Sequence, residues 1–165
     1  MEMIILMGLQ ASGKSTFYRT HFAATYEYVS KDLLRRSKHK NKDQEQAEHI
    51  ESAFQEQRSV VVDNTNSTLQ DRQRLIELGR TYGARIIGYY FPPDITNSRE
   101  RNKQRAGKAQ VPDKAIFITA NKFVPPSYAE GFDTLYYVRI VDDSTSEYPK
   151  WEIKEVPFKT EDHHA

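Results

Sequence analysis

An α/β fold built on a mainly parallel, covered sheet is what these 165 residues predict. Three observations carry that prediction. Short apolar runs alternate with longer, polar, helix-patterned segments. The first apolar run leads straight into a glycine-rich loop, "MGLQASGKST", Met7 to Thr16, from which a helix begins. Proline and glycine then punctuate many of the boundaries.

The elements follow in order. "EMIILMG" is short, apolar and ends at Gly8, as a buried strand does. A helix starts in the loop and runs through "KSTFYRTHFA". "YEYVS", residues 26–30, is a second short strand, followed by a helical turn "KDLLRR" and a polar helix over 42–57. "SVVVD" is a third buried strand, ending at Asp63. "STLQDRQRLIELGRTYG" follows, with Leu69, Leu75, Ile76 and Leu78 expected on one helical face and Gly83 as the stop. "ARIIGYYF" is a strand broken by Pro92-Pro93. "DITNSRERNKQRAGK" is an arginine-rich helix capped by Asp94 or Thr96. "PDKAIFITANKFVPP" is a helix with Pro112 in its first turn and the Pro125-Pro126 pair as its stop. "TLYYVRIV" is the last clear strand. The tail beyond residue 141 offers "WEIKEVPF", an extra strand or a segment packing Trp151 onto the body.

Composition narrows the function classes. One domain is expected at this length. No cysteine is present, which excludes disulfides and thiolate zinc sites. The five histidines have no metal-type spacing, and His163 and His164 are assigned no role. No apolar run is long enough to span a membrane. Glu2 stands where a signal peptide would be basic. A cytoplasmic protein without membrane partners is expected. The net charge is +1, yet residues 31–42 carry six Lys/Arg and one acid while 43–57 carry five acids and no Lys or Arg. Such a run is ordinarily a solvated surface, but it can also serve an anionic partner.

Gly8-x4-Gly13-Lys14-Ser15 fits the Walker A pattern without a substitution. Its glycines let successive N–H groups curl toward phosphates, and the helix N-terminus adds partial positive charge. The expected ATP-binding residues are Gly8, Ala11, Ser12, Gly13, Lys14, Ser15 and Thr16. Lys14 can bridge the outer phosphates and Ser15 can hold Mg²⁺. Asp63, at the end of an apolar strand, suits support of that metal, although Asp at a strand end is also ordinary turn chemistry. The cofactor expectation is therefore ATP, or another NTP, with Mg²⁺.

Asp32 follows the second strand and should share the sheet edge of the phosphate loop. From there it can deprotonate an acceptor alcohol, or simply cap "LLRR". Arg35, one turn on, can grip a phosphate carried by the acceptor. Arg101 and Arg105, spaced i,i+4, can fold over the donor and neutralise developing charge, or lie on a solvated helix.

Taken in order, "GLQASGKST", "SKDLLR", "VVVDNTNSTLQDR", "RNKQRAGKAQVP" and "PPSYAEGF" resemble the kinase domain of polynucleotide 5′-hydroxyl kinases, from residue 3 to about 140. The resemblance implies a P-loop NTPase, adenylate-kinase-like three-layer fold with a mainly parallel sheet and a helical lid. It implies a kinase domain over 1–141, with the lid helix around 94–110, and a tail over 142–165. It implies phosphoryl transfer from ATP to 5′-hydroxyl RNA or DNA ends, in end repair. Lys14, Asp32, Arg101 and Arg105 would be catalytic, with Asp32 the general base. Arg35 would join Asp32 in binding the acceptor, and Ser15 and Asp63 would serve the metal. Asn64, Thr65, Asn66 and Arg72 receive no role. Ser30-Lys31 departs from the Asn-Arg or Ser-Arg common before the base, which keeps a charge but loses the bidentate fork. No phosphatase or ligase module is expected, leaving a stand-alone kinase. Two other readings share these residues: a small-metabolite or nucleotide-sugar kinase similar to zeta toxins, and a non-catalytic ATP-binding regulator.

Overall fold

A computed structural model of the chain describes residues 1–34, 41–142 and 149–159. The elements run β1 (Glu2–Met7), α1 (Lys14–His21), β2 (Glu27–Val29), a 3₁₀ turn (Lys31–Leu33), α2 (Lys42–Gln55) and β3 (Val60–Asp63). They continue with α3 (Leu69–Thr81), β4 (Arg85–Tyr90), α4 (Ile95–Lys103), a 3₁₀ turn (Gly107–Ala109), α5 (Asp113–Lys122), a 3₁₀ turn (Tyr128–Glu130), β5 (Thr134–Asp142) and β6 (Lys150–Glu155).

The apolar runs are apolar on both faces because the sheet is covered on both. The strand order is β2-β3-β1-β4-β5-β6. Every pairing is parallel except that of β5 with β6, which is antiparallel. On one face, Ile50 and Phe54 of α2 and Leu75 and Ile76 of α3 pack on Met3, Ile5, Val60 and Val62. On the other, Phe17 of α1 and Phe22 pack on Ile4, Leu6, Val61 and Ile87. The result is a three-layer P-loop arrangement. β1 lies between β3 and β4, so the chain leaves its carboxyl end at the point where the strand order reverses, which is where such sheets bind ligands.

Three sequence expectations need amendment or extension. Leu69 is 50% exposed; the stripe of α3 that meets the core is Arg72, Leu75, Ile76 and Gly79. Gly79 is there because α3 comes close to β4: a Cβ would collide with Ile86 Cδ1. The arginine-rich helix ends at Lys103, with Asp94 as its cap, and does not run on toward 110. Asn102 stops it by pairing with the Val111 backbone in both directions, Nδ2 to O at 2.6 Å and N to Oδ1 at 3.0 Å. Those two bonds fold the chain back on itself, so Arg101 and Arg105 do not share one helical face. The tail adds a strand and packs its tryptophan at once: Trp151 pairs with Ile140 across β5 and β6, and its ring lies edge-on to Phe17 at 5.4 Å.

Candidate active site

The loop after β1 closes on itself around its lysine. Gly13 sits at φ 95°, a left-handed conformation that a side chain would strain, and it precedes the first residue of α1. Ala11 also takes a positive φ, 58°. Gly8 N–H donates to the Thr65 carbonyl at 3.1 Å, which fastens the loop to the turn after β3. Gln10 Nε2 donates to Thr119 Oγ on α5 at 3.0 Å. Lys14 Nζ donates to the Gly8 and Leu9 carbonyls at 2.9 and 2.7 Å and to Ser12 Oγ at 3.3 Å. Burial pushes its ammonium down to about 8; Asp63 pulls it up, Arg105 presses it down and Asp32 pulls it up again. Thr16 Oγ accepts from Arg19 at 3.0 Å.

Ser15 and Asp63 meet at the carboxyl ends of β1 and β3. Ser15 Oγ donates to Asp63 Oδ2 at 2.8 Å. Asp63 is buried in spite of its charge. A hydroxyl and a carboxylate in contact are hard oxygen donors, the kind Mg²⁺ takes. Among the described residues no group of three or more His, Asp or Glu could hold a metal. Tyr28, which no sequence motif singles out, also donates to Asp63 Oδ2, at 2.6 Å.

The turn that carries Asp32 follows β2. Ser30, not Asp32, caps it: Ser30 Oγ accepts the Asp32 amide at 3.3 Å. Asp32 itself is exposed. The turn leaves the carboxyl end of β2, which runs parallel to β3 and β1, and this puts Asp32 on the loop's edge of the sheet. Asn64 holds the turn from behind. Its Oδ1 accepts the Lys31 amide at 2.9 Å, and its Nδ2 donates to Gln46 of α2 at 2.6 Å. Asp43 links Lys31 to Arg74, the latter at 2.9 Å. Arg35, expected to grip an acceptor phosphate, lies outside the described residues, as does most of the basic run.

The arginines approach from the other side. Arg101 NH1 reaches the Ala11 carbonyl of the loop at 3.5 Å. Arg105, past the end of α4, donates to Ala109 at 3.2 Å. Burial lowers its guanidinium below the usual arginine range, against the pull of Asp63, Asp32 and Tyr28. It nonetheless stays charged near neutrality. Beside Ser12 and Arg101 a cavity of about 620 Å³ opens between residues 91–98, Asn121 and Arg139, within the span of small-ligand sites.

Two of the residues left without a role are braces. Asn66, in a left-handed turn at φ 46°, donates to the Leu6 carbonyl at 2.7 Å, under the start of the loop. Arg72 is fully buried and makes a forked pair with Glu130 at 2.7 and 3.1 Å. Its NH1 donates to the Asn66 and Val124 carbonyls at 3.1 and 2.8 Å. A buried arginine paired with a carboxylate and two carbonyls is costly to uncouple, about 3–5 kcal/mol when the ion-pair partner is removed. Nothing local in the sequence marks this pair, because its members are far apart in the chain.

A family model described as AAA domain (AAA_33) matches residues 3–126. The bifunctional polynucleotide phosphatase/kinase of Schizosaccharomyces pombe is 29% identical over 162 residues, which cover 96% of this chain and 34% of that protein. The chain spans about a third of the length of the curated relatives it matches. Among solved structures, a fungal RNA kinase superposes with a TM-score of 0.66 at 15% identity, covering 87% of this chain and 40% of that one. Kti12 of Chaetomium thermophilum, in complex with ADP-AlF3, superposes with a TM-score of 0.62 at 17% identity, covering 86% and 91%. At those identities the two structures attest to the fold.

Proposed function

The chain belongs to the AAA_33 family of AAA domains, and from that premise we propose that it is a P-loop kinase that transfers the γ-phosphoryl group of ATP to the 5′-hydroxyl end of a polynucleotide. The observation that carries this reading is the placing of Asp32 on the turn directly after β2, a strand parallel to β3 and β1, so that its turn, Asp63 and the phosphate loop all leave the same edge of the sheet. A switch that only bound nucleotide would have no use for an exposed carboxylate there. The polynucleotide as acceptor is supported by the names of the sequence relatives.

On this reading the loop amides from Gly8 to Thr16 cradle the phosphates, and Lys14 leaves its carbonyl partners to bridge the outer ones. Ser15 would hold Mg²⁺ with Asp63 behind it, and the bound ion would supply positive charge against the phosphates. Asp32 accepts the proton of the 5′-hydroxyl as its oxygen attacks the γ-phosphorus. The bond from that phosphorus to the bridging oxygen breaks, and ADP leaves with the electron pair. Arg101 and Arg105 offset the charge that builds on the transferring group. The cavity beside Ser12 and Arg101 takes the nucleoside of the donor. Arg35 grips the phosphate next to the acceptor nucleotide.

The test is incubation with γ-labelled ATP, Mg²⁺ and short 5′-hydroxyl RNA and DNA oligonucleotides in separate reactions. Label on the oligonucleotide is expected. A folded, ATP-binding protein that labels neither, but labels a small alcohol, would turn the acceptor reading toward a metabolite.

A further inference from the structure

Asp63 is held from two sides through one oxygen. Ser15 Oγ and Tyr28 OH both donate to Oδ2, at 2.8 and 2.6 Å, and the two hydroxyls lie 3.5 Å apart. A carboxylate with two hydroxyl donors on a single oxygen cannot turn without losing both. We propose that Tyr28 is a positioning residue of the donor site: its hydroxyl fixes Asp63 against Ser15, prepares that pair for Mg²⁺-nucleotide, and ties the pair to the turn that carries Asp32.

Tyr28 is itself held in place. Its ring packs on the Tyr18 ring of α1 with centroids 4.6 Å apart. Tyr18 OH in turn donates to the Tyr26 carbonyl at 2.8 Å, which fixes the stacking partner to β2. The half-buried hydroxyl therefore has a defined direction, toward β3 and the loop. Alternation along β2 puts residues 28 and 30 on the same side. Ser30 Oγ accepts the Asp32 amide at 3.3 Å. Two residues before Ser30, a hydrogen-bonded run passes from Tyr28 through Asp63 to Ser15. It joins the carboxyl ends of β1, β2 and β3, the three strands whose loops would supply donor, base and metal support.

The inference rests on the reading of Ser15 and Asp63 as the metal pair, and it needs no polynucleotide. Its test is the affinity of the full chain for a non-hydrolysable ATP analogue, measured with Mg²⁺ and with EDTA. Tyr28→Phe keeps the ring and its stacking and removes only the hydroxyl. The gain in affinity conferred by Mg²⁺ should fall about tenfold, the lower end for groups that orient metal ligands. The affinity in EDTA should stay within about twofold, because the loop amides and Lys14 are untouched. In an Asp63→Asn background the same change should cost nothing further, since the carboxylate that Tyr28 orients is gone. An unchanged Mg²⁺ gain in Tyr28→Phe overturns the proposal. So does an equal loss with and without Mg²⁺, or failure to fold, either of which assigns the hydroxyl to structure. A wild-type chain with no Mg²⁺ gain at all overturns it together with the metal reading. Absence of oligonucleotide labelling, by contrast, leaves it standing.

Discussion

The two halves of the candidate site are built differently. On the donor side Lys14 and Asp63 are 7% and 6% exposed, and nearly every polar group has a protein partner. On the acceptor side Asp32 is exposed on a turn of three residues, Lys31–Leu33, and its place is set by what grips the backbone around it: Ser30 on its own amide, Asn64 on the Lys31 amide. A buried charge needs fixed partners or it is lost as a charge. The base role proposed for Asp32 needs access to an acceptor instead. Preorganisation therefore sits in side chains on the donor side and in the backbone on the acceptor side, and each kind fails in its own way.

The largest effect expected from breaking the contrast is at Asp32. Asp32→Asn keeps shape and removes the proton acceptor. Turnover should fall about 10²–10⁴-fold, the usual span for a general base, with ATP affinity unchanged. Because Ser30 makes the cap, stability should hardly move. Steady-state labelling and nucleotide titration on the same preparation check this. Unchanged turnover would take the base role from Asp32.

A smaller effect tests the donor side alone. With its ammonium pushed down to about 8, Lys14 loses its charge as pH rises through that value. The charged fraction drops from about nine-tenths at pH 7 to about one-tenth at pH 9. If phosphate requires the charged form, ADP affinity in EDTA should weaken about tenfold over that window. Below pH 7 Lys14 contributes no further slope. Lys14→Arg should flatten the profile, since arginine keeps its charge throughout. A wild-type profile flat from pH 7 to 9 would show that the lysine is already charged when phosphates arrive.

The same division governs what could be read from the sequence. The strands, most helix bounds and the loop were legible because apolar periodicity and a contiguous motif carry them. Lys14, Ser15 and Asp63 converge as their spacing suggested, since the loop and the ends of two neighbouring parallel strands have little freedom. Tyr28 was invisible: a tyrosine at a strand end has no signature until β2 pairs with β3. The Arg72–Glu130 pair was hidden for the same reason, joining α3 to a turn far along the chain. The end of α4 was misjudged because Asn102 stops it through a side-chain bond to Val111 that no local pattern announces.

Asn64 supplies the subtlest test of the contrast. Its side chain is the hinge pin of the acceptor side, accepting the Lys31 amide at 2.9 Å and donating to Gln46 at 2.6 Å. Neither atom is at the phosphate loop. Asn64→Ala removes two hydrogen bonds that are only part-buried, about 1 kcal/mol each in net terms. The Asp43 link to Lys31 persists and limits the drift of the turn, being itself a partly exposed ion pair of modest worth. Acceptor KM should therefore rise only about three- to tenfold, with ATP affinity held within about twofold. Asn64→Asp restores the acceptor for the Lys31 amide and loses only the bond to Gln46. It should recover much of the acceptor KM if the backbone bond is what places Asp32. Equal losses for donor and acceptor in Asn64→Ala would mean that the two halves are one rigid unit, and the contrast between them would fall.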